Sequence, residues 1–107
     1  SARPGPGPPP RRWCRSRSCR RNCLRIPNLL IRTDNVIERI NGDADTRGSL
    51  LWLDTQIERA EENGREQLAE VLTNRRAVRE ASVPVFELRR DELNDLAERC
   101  RDAGVEL

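Results

Sequence analysis

The 107 residues carry 20 Arg against 18 Asp and Glu, with no Lys, His, Tyr or Met, and Trp13, Trp52 and Phe86 are the only aromatic side chains. Missing with them are the commonest general acid–base and nitrogen metal ligand, the Schiff-base amine and the usual phosphate-loop cation, so the chain reads as a binding protein and not as an enzyme. So few aromatics leave a core to Leu, Ile, Val and Ala, which suits helix packed on helix in one small domain.

The charge is unevenly distributed. Residues 1–32 hold nine Arg and no acid, and residues 33–107 hold eleven Arg and all eighteen carboxylates, so a net +2 divides into +9 and −7. This polarity predicts a basic arm, residues 1–22, ahead of a small helical domain, residues 23–107. The Pro/Gly run up to Pro10 has fixed φ angles and few donors, which makes it an extended, polyproline-like lead. Behind it, Arg11, Arg12, Trp13, Arg15, Arg17, Arg20, Arg21 and Arg25 form the candidate nucleic-acid-binding set. Guanidinium groups pair bidentately with phosphate, and Trp13 can stack on an exposed base. The competing reading of the same run is a solvated tail that docks on an acidic protein surface.

Cys14, Cys19 and Cys23 follow a C-x4-C-x3-C spacing, and Cys100 lies near the other end. Four thiolates suit a structural zinc if the C-terminal helix folds back on the arm. Free thiols and disulfides are the alternatives. Cys100 also fits the apolar face of a helix with Leu93 and Leu96, where Cys acts as a small hydrophobe.

In the body, the apolar run of residues 24–31 is interrupted by Pro27, which predicts an edge strand, an irregular crossing, or a strand that hands over to a helix at the proline. Thr33 or Asp34 caps a short helix through residues 35–40, closed by Asn41 and Gly42. Thr46 is a candidate cap for the next helix, in which Leu50, Leu53, Ile57 and Ala60 recur at helical spacing. Asn63 and Gly64 stop that helix, and Leu68, Val71, Leu72 and Val78 stripe another. Two such helices joined by a Gly turn predict an antiparallel hairpin; one continuous helix through the same residues would seat Gly64, Gln67 and Asn74 on its seam. Residues 83–88 read as a short strand, and a capped helix runs from Asp91 through Leu93, Leu96, Ala97 and Cys100 to Gly104. The expected fold is mainly α: an antiparallel helical hairpin plus a C-terminal helix, with an extended Pro/Arg-rich N-terminal arm and at most short strands.

Two stretches resemble known families. Cys23, Ile26 and Pro27 with the apolar run behind them, then residues 57–72 (IERAEENGREQLAEVL), are similar to the Cys-containing helical tail of tyrosine-type site-specific recombinases. The catalytic set of that family needs Tyr and usually His, so the likeness implies association with DNA without strand cleavage. Residues 24–27, followed by helix, loop, Thr46-Arg47 and a second helix, resemble ribbon-helix-helix repressors. That likeness implies a strand entering the major groove with Arg21, Cys23 and Arg25 outward and Asn22, Leu24 and Ile26 inward.

The expected function is a small nucleic-acid-associated protein, bound to DNA more readily than RNA, with a helical body that forms a homo-oligomer or joins a partner protein. The alternative is a helical protein–protein adaptor whose basic arm docks on an acidic partner. No run of 18 apolar residues predicts a membrane span, and no apolar stretch behind the basic start suggests a secretory signal, so a cytoplasmic location is expected. No cofactor is expected beyond a structural zinc on Cys14, Cys19, Cys23 and Cys100.

Overall fold

A computed structural model describes residues 14–107, leaving Arg11, Arg12 and Trp13 outside the described part. Three helices follow in order: α1, Arg17–Ile40; α2, Leu50–Glu62; and α3, Glu66–Asp102. The mainly α class is what the structure has. Among the described residues there is no strand, and no helix is long and apolar enough to cross a membrane.

The predicted edge strand is helix. Cys23, Ile26, Thr33, Ile37 and Ile40 are buried and Leu30 is partly buried, a 3-4-3-4-3 spacing that gives α1 one continuous apolar stripe. The remaining apolar residues of that run, Leu24, Leu29 and Ile31, are exposed. Read as an apolar run broken at Pro27, the stretch hid its 3.6-residue period. Pro27 sits inside α1, where a proline costs about 3 kcal/mol through its missing N–H and its ring. The packed stripe on either side offsets that cost. The same correction applies to residues 83–88, which continue α3 through Pro84, with Val85 and Leu88 exposed. The expected C-terminal helix is therefore the last part of α3. The arm predicted over residues 1–22 also changes, because residues 17–22 form the first turns of α1, whose third turn Ile26 anchors.

The predicted break between α2 and α3 is present. Gly64 adopts φ +70. The amide of Arg65 donates to the Ala60 carbonyl at 2.7 Å and that of Gly64 to Glu61 at 3.0 Å, the paired bonds of a left-handed helix stop. Ser49, not Thr46, caps α2: its Oγ accepts from the Trp52 amide at 3.0 Å and donates to the Asp43 carbonyl at 2.6 Å. Thr46 instead donates to the Asp43 carboxylate within the preceding loop.

By their internal contacts the described residues form two units, residues 14–32 with Arg90–Leu107, and Thr33–Arg89. In the first, α1 and the end of α3 pack around Cys14, Cys23, Ile26, Ala97 and Cys100. In the second, α2 and the start of α3 pack through Leu53, Ala60, Ala69 and Leu72.

Candidate nucleic-acid interface and cysteine cluster

α1 begins under the control of Ser16, whose hydroxyl accepts from the Cys19 amide at 3.1 Å. Its first turn contains no acid. Arg17, Arg20 and Arg21 thus sit at the positive end of the helix dipole, an unfavourable placement that an anion would relieve. At about 100° per residue, Arg17, Arg21, Arg25 and Arg32 fall within about 80° of arc, with Arg20 beside them. All five are exposed, as is Arg15 just ahead of the helix. Leu24 and Ile31, 59% and 58% exposed, interrupt this basic face. The buried Cys23 and Ile26 lie on the opposite side of the helix, so packing fixes which face the arginines present.

Of the sequence-predicted arginines, the structure brings Arg17, Arg20, Arg21 and Arg25 onto this face. Arg32 was missed; its i+7 spacing from Arg25 shows only once residues 24–31 are read as helix. The strand-type alternation of Arg21, Cys23 and Arg25 is absent, because Cys23 points into the core while the two arginines face solvent.

The four cysteines do come together. Cys14 is disulfide-bonded to Cys19 and Cys23 to Cys100, so the free-thiol reading gives way to two bridges. The Cys14 and Cys23 sulfurs lie 3.7 Å apart, and those of Cys14, Cys19 and Cys23 lie within 4.8 Å of one another. The convergence follows from two apolar faces: Cys19, Cys23 and Ile26 on α1 meet Leu93, Ala97 and Cys100 on α3. In the bridged state no thiolate is present for a metal.

No protein-family model, curated protein or solved structure matches this chain. The site's own geometry is therefore what supports a functional reading.

Proposed function

We propose that this protein associates with nucleic acid, DNA before RNA, through the basic face of α1 continued by the arginines ahead of it. The observation that carries the reading is the acid-free stripe of Arg17, Arg20, Arg21, Arg25 and Arg32, exposed on α1 opposite its disulfide-tied buried face. Such a stripe makes phosphate contacts, which supply affinity without base choice. Duplex binding measured between about 50 and 200 mM salt tests it: five contacts give a log–log slope of roughly −4.5. Replacing Arg17, Arg21, Arg25 and Arg32 with Gln should bring the slope down by roughly 3 to 4 units. Absence of salt-dependent binding to duplex DNA, single-stranded DNA and RNA alike would sink the reading.

One observation favours the adaptor alternative. Leu24 and Ile31 lie exposed within the basic face, where they suit an acidic amphipathic helix from a protein partner. Failure to bind nucleic acid would leave that reading in place. Val71, Val85 and Leu88, exposed on α3, offer an apolar face for assembly; sedimentation equilibrium showing a concentration-independent monomer would remove the assembly part. When reduced, Cys14, Cys19, Cys23 and Cys100 supply four sulfur donors from one place, the ligand set of a structural zinc.

A further inference from the structure

Within Thr33–Arg89, the end of α1, the following loop, the start of α2 and the middle of α3 surround an open groove of about 980 Å³. That segment contains twelve carboxylates and eight Arg. Four of the arginines, Arg39, Arg47, Arg75 and Arg79, line the groove, and none of the carboxylates does. Chance mixing of an acid-rich surface does not readily give that segregation.

The arginine next in sequence to one of them shows the contrast. Arg76 points elsewhere and is paired with Asp54 and Glu80. The side chains of Arg39, Arg47 and Arg75 form no ion pair or hydrogen bond among the described residues. Arg79 is fixed in place: its Nη1 donates to the Gly48 carbonyl at 2.6 Å. Gly48 has φ +92, and a Cβ there would lie 2.9 Å from that same nitrogen, so the loop is shaped around the guanidinium. The apolar side of the groove carries both aromatic residues of this unit, Trp52 and Phe86. Ser49 holds Trp52 at the first turn of α2 through its amide.

We propose that this groove binds a small aromatic phosphate, represented by a nucleoside monophosphate, with the phosphate among Arg39, Arg47 and Arg75 and the base against Trp52. A phosphate dianion with three acceptor oxygens matches several unpaired guanidinium forks better than one carboxylate does. A flat ring suits the indole wall, and its stacking is tolerant of base identity. A long acyl chain would need an enclosed apolar channel, and this groove is open. The site uses residues 36–86 alone and owes nothing to the basic face of α1.

Trp13→Phe leaves Trp52 as the sole indole, so its fluorescence reports the groove. Adenosine monophosphate should quench it saturably with a midpoint below about 1 mM, and adenosine or inorganic phosphate alone should bind at least about ten-fold more weakly, each lacking half of the contacts. Arg39→Gln with Arg47→Gln should weaken binding by about ten-fold or more, the loss expected for charge-assisted phosphate contacts. Arg75→Gln, on a different helix, should repeat the loss and stands in if the double variant is unstable. Arg59→Gln, outside the groove, and the four α1 substitutions should change nothing. A 5′-phosphorylated oligonucleotide competing better than the free nucleotide would identify a strand end as the source; the reverse would identify the free nucleotide. Equal binding of phosphate and nucleotide, or indifference to Arg39, Arg47 and Arg75, overturns the proposal.

Discussion

In the unit of residues 14–32 and Arg90–Leu107, three of the five side chains of the buried cluster are cysteines, Cys14, Cys23 and Cys100, with Ile26 and Ala97 completing it. In Thr33–Arg89 the cluster is Leu53, Ala60, Ala69 and Leu72, without a sulfur. The first unit buries too little aliphatic surface to hold two helix segments by the hydrophobic effect alone, and small cores of this kind depend on covalent staples. The second is held by contacts close in sequence: a two-bond turn at Gly64, a capped helix start at Ser49 and a tight hairpin. One chain thus uses two strategies, cross-linking where the start of α1 meets the end of α3 and local geometry where the chain turns.

The largest expected effect lies in the first strategy. The Cys23–Cys100 bridge closes a loop with a sequence separation of 77, and the Cys14–Cys19 bridge one of 5. By loop-closure entropy these contribute about 4.5 and about 2 kcal/mol respectively. Replacing Cys23 and Cys100 with Ser should remove amide-exchange protection from residues 17–32 and 90–102 while residues 50–80 keep theirs. Loss of protection across the whole chain at once would show that the two units are not separately stabilised. Adding zinc to the fully reduced wild-type chain should restore protection to the first unit, if the four sulfurs then act as its ligands.

How much of this was legible in the sequence depends on how local the signal was. The α2–α3 hairpin was readable because Asn63-Gly64 and the Leu53–Ala60 spacing lie within a few residues of the turn they specify. The helices through Pro27 and Pro84 were not, because a proline reads as a breaker and what overrules it is tertiary. Ile26 and Leu30 pack against Ala97 and Leu93, far away in sequence. The basic face was half visible: the arginines were obvious, but their alignment along one side of α1 required the helix. The Cys23–Cys100 pairing followed from the same long-range packing and left no trace in the spacing, whereas Cys14 and Cys19 are close in sequence but fitted zinc and free thiols equally well. The groove was invisible for a similar reason, since Arg39, Arg47 and Arg79 come from three different elements.

A smaller effect is expected in the core of the second unit. Leu53 is fully buried between α2 and α3. Leu53→Ala should cost about 3 kcal/mol, the sum of lost burial and a residual cavity. Chemical denaturation would measure it, and exchange would locate it: protection should fall in residues 50–80 and persist around the cysteines. If the cysteine unit loosens equally, the division into a stapled and a locally built unit fails.

The smallest effect sharpens how the second unit is built. Ser49 is fully buried and its hydroxyl works in two directions, accepting from the Trp52 amide and donating to the Asp43 carbonyl. Ser49→Ala removes both bonds, leaves one helix-start amide short of a partner and the Asp43 carbonyl with the Thr46 amide alone, and should cost about 1–2 kcal/mol. Ser49→Gly separates the two contributions. Glycine is nearly as good as serine at a helix start when only backbone conformation and solvation of the first amides matter. If local capping is the whole role, Ser49→Gly should recover most of the stability lost in Ser49→Ala. If the bond to Asp43 matters more, the two variants should be equally unstable, because neither can donate. The position favours the second outcome. Ser49 itself is sealed from solvent, and its bond to the Asp43 carbonyl ties the start of α2 to the loop that carries Gly48 beneath Arg79. Matching denaturation midpoints for the two variants, with lowered exchange protection at Trp52 and Leu53, is the expected result.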